Sequence, residues 1–345
     1  MREIKTAIWG FGAMGQGIAE MISKKRGMIV SSVCDLNPEL VGKNISDILD
    51  ITTDYDVYVT DDIDSILARE HDVLFIATDS FTADSFPKIK KVIQAGINVI
   101  STAEEMAFPS ANEPELAEKI NLLAKENDVT VLGTGINPGF VMDLLAVMMS
   151  APMVDVKKIE ARRVNSLSPF GKTVMEEQGV GITEEEFDQK TKNNELAGHV
   201  GFKESMYMIA EALGVQIIKF EQQMKPIITN VDRQSKYGEA KKGTLAGINM
   251  TAQAFIDDES VFIDMKHPQQ IEPEDEGTYT GDYIKIHGSP EVNLSVKPEI
   301  EGGLGTIAMC VNSVPNVLNA TAGLKTMIDL PVPRAIVGDA RNLLK

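Results

Sequence analysis

The stretch that decides the fold is Lys5–Ala19, KTAIWGFGAMGQGIA. An apolar, strand-like run (5–10) ends in a G-x-G-x-x-G turn at Gly10, Gly12 and Gly15, and an amphipathic stretch follows at 14–25. Each glycine has a mechanical role. Gly10 permits the tight turn, Gly12 lets backbone approach a pyrophosphate, and Gly15 lets helix and strand pack closely. Phe11, Ala13 and Met14 complete the loop, and the helix start offers free N–H groups and a positive dipole end to phosphates. Asp35 ends the second apolar run, twenty positions after Gly15 (35 − 15). A carboxylate there accepts hydrogen bonds from ribose hydroxyls and repels a 2′-phosphate. The turn therefore predicts NAD or NADP as cofactor, with NAD somewhat preferred. Asn37, Lys43 and Asn44 in the same loop leave NADP open.

Outward from this turn, strand-like runs recur at 28–35, 56–60, 72–78, 97–102 and 129–134, with amphipathic stretches at 62–69, 82–95 and 112–126. Alternating strands and helices build right-handed parallel βαβ units. The expectation is an α/β chain whose N-terminal domain (1–135) is a Rossmann-type, doubly wound parallel sheet. C-terminal helices at about 305–345 are expected to join it, the first over 305–321 with Pro315 as a kink. Between them the texture changes. Runs at 157–166, 215–224, 247–256, 260–266 and 282–288 alternate with period two, and helical patterns lie at 184–192 and 203–213. That predicts an α+β substrate-binding and dimerisation domain (136–304) with a mixed sheet. The stretch 267–279, rich in Pro, Glu and Gly, reads as a loop.

The chain has 345 residues and a net charge of −18, which argues against nucleic acid as a partner. Two cysteines, Cys34 and Cys310, offer no disulfide framework, and the four histidines show no metal-ligand spacing, so no metal is expected. No apolar run reaches the roughly 18 residues needed to cross a bilayer. The N-terminus enters a strand pattern directly, without a signal peptide, and a cytoplasmic location is expected.

Three segments mark the chemical site. Ala77, Thr78 and Ser80 follow the fourth strand run and face the cofactor in this fold, although Asp79 or Ser80 also suits a helix N-cap. STAEEM (101–106) puts Glu104 and Glu105 directly after the fifth strand, at the nicotinamide end. In GTGINPGFVMD (133–143), Asn137 has the donor and acceptor to hold a carboxamide. Later, Asn312 is a candidate for the cofactor crevice. His199 sits between Gly198 and Gly201 in GHVGFKES, a spacing that suits close approach of a ligand.

IWGFGAMGQGIA, STAEEMAFP, GTGINPGFVMD, ARRVNSLSPFGKTVMEEQGVG, GHVGFKES and GGLGTIAMCVNSVPNVLNA together resemble the 2,4-diaminopentanoate dehydrogenase family. That family is related to dihydrodipicolinate reductase and to the native amine dehydrogenases. The resemblance implies oxidative deamination of a C4 amine in ornithine degradation, giving 2-amino-4-oxopentanoate, ammonia and NAD(P)H. It assigns the substrate amine to Glu104, with Glu105 as the alternative. It also implies a substrate carboxylate needing a partner. Arg163, Asn165 and Lys172 are candidates, with His199 beside them. Strand alternation puts Arg162 and Arg163 on opposite faces, so one of the two faces a pocket. The expected partners are a small-molecule amine and a second copy of the chain. Two other readings compete: an amine dehydrogenase or reductive aminase on simpler substrates, and a dihydrodipicolinate reductase-like C=N reductase. A nucleotide sensor would lack the paired glutamates.

Overall fold

The apolar runs of the N-terminal half pair in parallel. The computed structural model describes residues 2–51, 53, 55–257 and 260–345. The chain divides into two units. Residues up to Phe140 together with Gly302–Lys345 form one, and Val141–Glu301 forms the other.

The first unit contains β1 (Ile4–Trp9), β2 (Met28–Cys34), β3 (Val59–Thr60), β4 (Val73–Ile76), β5 (Asn98–Ser101) and β6 (Thr130–Gly133). Their order is β3-β2-β1-β4-β5-β6, and Gly323–Lys325 adds beside β6. All of these pairings are parallel. This is the doubly wound order, whose ligand crevice opens at the carboxyl ends of β1 and β4, where the winding reverses. Every residue of β4 and β6 is buried, which requires helices on both faces of the sheet. They are α1 (Ala13–Ser23), α2 (Ile45–Leu49), α3 (Ile63–Leu67), α4 (Thr82–Gln94), α5 (Pro114–Glu126) and the long helix Gly302–Asn319. On α1 the buried positions Gly15, Ile18, Ala19 and Ile22 follow the helical repeat. Gly17 lets the long helix approach, since a Cβ there would lie 2.2 Å from Ile307. The long helix begins earlier than the sequence predicts and carries Pro315 inside it. Of the run at 56–60, the structure uses two residues as strand.

The second unit holds a six-stranded mixed sheet. Its strands are β7 (Asp155–Ser166), β8 (Lys219–Ile228), β9 (Leu245–Phe255), β10 (Val261–Gln270), β11 (Gly281–Ser289) and β12 (Val292–Val296), in the order β12-β11-β7-β10-β9-β8. The β7–β10 pair is parallel and the other pairs antiparallel. Ile159, Ala161, Ile263, Met265, Ile284 and Ile286 fill one face and are buried. Leu144–Ser150 and Phe202–Leu213 pack over that face. The opposite face carries Glu160, Arg162, Asp264, Lys266 and Lys285. The expected loop 267–279 is a correction: His267–Gln270 continue β10, and Pro273–Glu276 form one 3-10 turn. The strand expected from 215 starts at Lys219.

Candidate active site

The glycine turn has the geometry of a phosphate cradle. Gly10 takes a φ of +97°, and a Cβ there would meet Ala77 O at 2.6 Å. A Cβ on Gly15 would lie 1.9 Å from Gly10 O, so the turn and the first helical turn touch backbone to backbone. Gly12, by contrast, has nothing within 4 Å of its Cβ direction, and Gly12 and Ala13 are exposed. That open side and the N-terminus of α1 suit a pyrophosphate. Asp35 stands at the tip of β2. Its two carboxylate oxygens accept from Phe11 N at 2.5 Å and Asn37 N at 2.7 Å, which fixes the acid beside the glycine turn. These residues fit a dinucleotide: Gly12 leaves the space, α1 the donors, and Asp35 a carboxylate beside the turn.

The β4 and β5 loops are stapled together. Ala77 N donates to Trp9 O, and Glu105 N donates to Ser80 O at 3.1 Å. Thr78 is exposed and donates to Asp79, whose carboxylate also accepts two contacts from Lys88 Nζ at 2.7 and 2.8 Å. Asp79 and Ser80 were possible caps for α4, but the residue before that helix, Phe81, gives no side-chain cap. Glu105 takes the role from outside. Its carboxylate accepts from Thr82 N at 2.8 Å and from Asn112 Nδ2 at 3.3 Å.

The structure thus distinguishes the two glutamates. Glu105 spends both carboxylate oxygens on holding α4 and the next loop. Glu104 is half-buried, and burial holds its carboxyl above the ordinary carboxylate range. A backbone hydrogen bond and the Ser80 hydroxyl favour the ionised form and partly offset burial. Such a group releases and takes protons closer to neutral pH than a surface glutamate does.

Asn137 is half-buried in the loop after β6. That loop is held by Ile136 N, which donates to Thr306 Oγ1 at 3.2 Å. Asn312 accepts from Ile336 N at 3.0 Å and fastens the C-terminal tail.

In the second unit, Arg162 and Arg163 do face opposite ways. Arg162 is exposed and Arg163 is 2% exposed. Arg163 donates to Asp282 at 2.6 Å and to Ile300 O at 2.5 Å, and Asp282 also accepts from Ile300 N. Its charge is neutralised, and the pair clamps the returning chain. Asn165 is buried and sits 2.9 Å from His267 Nε2. The half-buried His199 ring meets the His267 ring edge-on at 4.7 Å and Phe202 at 5.1 Å. Burial, followed by the Arg163 charge, holds the His199 pKa well below its ordinary value. Lys172 is exposed and pairs with Glu176 at 3.5 Å. Sequence reasoning missed His267 and Asp282. His267 fell in a segment read as loop. Asp282 carried one signal, its place at the head of an alternating run.

Residues 140–345 match the model for the 2,4-diaminopentanoate dehydrogenase C-terminal domain. Residues 4–127 match that for the dihydrodipicolinate reductase N-terminus. The chain is 52% identical to a 2,4-diaminopentanoate dehydrogenase of Acetoanaerobium sticklandii, over 100% of this chain and 98% of that protein. It is 22% identical to an amine dehydrogenase of Streptomyces virginiae, covering 96% and 98% of the two chains. The structure of an amine dehydrogenase from Mycobacterium smegmatis shares the fold, with a TM-score of 0.83 at 22% identity over 96% and 97%.

Proposed function

Because the chain belongs to the 2,4-diaminopentanoate dehydrogenase family, we propose that it oxidises the C4 amine of 2,4-diaminopentanoate to 2-amino-4-oxopentanoate and ammonia, with NAD or NADP as cofactor. The observation that carries the site assignment is the contrast between Glu104, whose pKa is raised by burial, and Glu105, which is engaged in capping.

A substrate ammonium has no lone pair to assist loss of hydride. The Glu104 carboxylate first attracts that cation and then takes a proton from it as general base. A nicotinamide cofactor held by the Gly10–Gly15 turn and Asp35 would supply the acceptor for the C4 hydride. The substrate is left as an iminium ion, and once Glu104 has passed its proton to solvent its carboxylate offsets that charge. With its carboxylate regenerated, Glu104 takes a proton from the water that adds to the iminium carbon and returns it to the nitrogen of the carbinolamine; the C–N bond breaks, the hydroxyl gives up its proton to form the ketone, and ammonia leaves. The turn Asp79–Ser80 and Glu105 hold Glu104 in place.

Asp35 favours NAD, through the ribose hydroxyls. We assign substrate recognition and subunit contact to the second unit. Its exposed sheet face bears both charge signs, Glu160 beside Arg162 and Asp264 beside Lys266, which suits pairing with a second copy. Sedimentation equilibrium tests this, and a monomer at micromolar concentration would refute it. A reducing cytoplasm suits the two free, buried thiols, Cys34 and Cys310; fractionation of the cells tests it.

The defining experiment follows reduced nicotinamide by absorbance with 2,4-diaminopentanoate, ornithine, 2,5-diaminohexanoate and simple alkyl amines. Rapid turnover of 2,4-diaminopentanoate is expected. Turnover of simple amines instead would make the chain an amine dehydrogenase of broader kind, and silence on all of them with cofactor bound would refute the reading.

A further inference from the structure

At the edge of the parallel sheet, Asp35 is not the only carboxylate at a strand tip. β2 and β3 run side by side with Cys34 opposite Thr60 in register, and Asp35 N donates to Thr60 O at 3.0 Å. Asp61 follows Thr60, so it lies one strand spacing from Asp35, about 5 Å between backbones. Asp61 and its neighbour Asp62 differ in what they do. Asp62 starts α3: its carboxylate accepts from Ser65 N at 3.1 Å and its N–H donates to Thr60 Oγ1 at 3.1 Å. Asp61 is exposed and has no hydrogen bond or ion pair among the described residues. Its charge still reaches the tip of β2. Burial, and then the charges of Asp35, Asp61 and Asp62, push the Cys34 thiol up to about 11.

The sequence leaves NADP open through Asn37, Lys43 and Asn44, and the structure uses these residues otherwise. Asn37 N donates to Asp35, and the Asn37 side-chain oxygen accepts from Glu39 N at 2.9 Å. Asn44 caps α2 by accepting from Ser46 N, and it donates to Asp56 at 2.8 Å. Lys43 pairs through its backbone with Val59: Val59 N donates to Lys43 O at 3.0 Å, and Gly42 N donates to Val59 O at 2.8 Å. Lys43 therefore lies across β3 from Asp35. Leu36, directly after Asp35, is 78% exposed and offers no side-chain donor. Neither the turn 10–15 nor the stretch 35–42 contains Lys or Arg. A 2′-phosphate carries nearly two negative charges and needs a cation such as Arg beside it. Here a second carboxylate stands in that neighbourhood.

We infer that Asp61 is a specificity-determining residue, which acts with Asp35 against a 2′-phosphate so that the chain selects NAD over NADP. The two acids act differently. Asp35 is fixed by backbone donors and offers a ribose its acceptors. Asp61 contributes a charge, to which a neutral ribose is nearly indifferent. The inference rests on the dinucleotide reading of the glycine turn and not on which amine is oxidised.

The test is direct binding of NADH and NADPH, followed by nicotinamide fluorescence without any amine, in wild type, Asp61→Asn, Asp35→Ala and the double variant. Wild type should bind NADH more tightly than NADPH. Asp61→Asn should tighten NADPH about 3- to 10-fold and move NADH less than about twofold, the scale of one charge acting on a phosphate across a few ångströms in high dielectric. That gain should shrink as salt rises from about 20 mM to about 0.5 M, which a merely structural role would not do. The double variant should bind NADPH more tightly than Asp35→Ala alone. An unchanged NADH/NADPH ratio in Asp61→Asn, equal changes for both cofactors, or a gain indifferent to salt would overturn the role of Asp61 and leave the dinucleotide reading standing. Wild type that binds NADPH as tightly as NADH would overturn it as well. Binding of neither cofactor would overturn the reading of the turn, and this inference with it.

Discussion

Replacing Glu104 by Gln separates chemistry from architecture. Gln keeps the side-chain volume and an oxygen for the Ser80 hydroxyl, but it cannot take a proton. A positioned general base contributes about 10²- to 10⁴-fold in rate, or about 3–5 kcal/mol of barrier at roughly 1.4 kcal/mol per tenfold. Steady-state kinetics of the Gln variant should therefore show kcat/KM lower by that factor, with cofactor binding retained. In wild type the oxidative rate should rise with pH through the Glu104 pKa, which burial places above the usual carboxylate range. This acid limb should flatten in the variant. Stability should move the other way. A carboxyl whose folded pKa is raised holds its proton more tightly when folded. Its contribution is full below the unfolded pKa and is lost as pH rises through the folded pKa. At neutral pH the wild-type protein carries that cost, so Glu104→Gln should melt no lower than wild type. Activity within a few-fold of wild type would refute the assignment of the base.

Three further outcomes follow from the same contacts. Glu105→Ala removes the carboxylate that accepts from Thr82 N; urea melts should show a loss of about 0.5–2 kcal/mol, the size of a helix cap, and kcat/KM should fall less than for Glu104→Gln. Arg163→Met strands the Asp282 carboxylate, 3% exposed, and thermal unfolding should report about 3–5 kcal/mol of destabilisation, partly recovered by adding Asp282→Asn; a cost below about 1 kcal/mol would contradict a dry ion pair. Asp35→Ala should shift the ratio of kcat/KM values for NAD and NADP toward NADP, and an unchanged ratio would show that this acid does not read the ribose.

Most of the first unit was legible in its sequence because its signals are local. The glycine turn needs Gly10 at positive φ and a Gly15 without a side chain, and short apolar runs between amphipathic stretches leave little choice but a parallel sheet. Alternation along β7 likewise separated Arg162 from Arg163. What escaped depends on distant partners. Asp79 or Ser80 is a sound local cap for α4, yet Glu105, 23 residues beyond Thr82 (105 − 82), supplies it across the β4–β5 loops. His267–Gln270 reads as loop because it holds a proline and two glutamines, poor strand residues. Pairing with β9 on one side and β7 on the other overrides that propensity, and the register to β7 passes over His267 and Pro268. The same override hid the contact between His267 and Asn165. Asn312 and Lys172 also have partners that local sequence does not show. Asn312 fastens the C-terminal tail through Ile336 N, and Lys172 lies exposed beside Glu176.

The central claim is that hydride and nitrogen both leave C4. It is tested most directly with 2,4-diaminopentanoate deuterated at C4, following the label, the ammonia and the carbon product together. The account predicts deuterium in the reduced nicotinamide, an equimolar release of ammonia, and 2-amino-4-oxopentanoate as product. Deuterium retained in the carbon product, with oxidation at C2 to an α-keto acid, would contradict it.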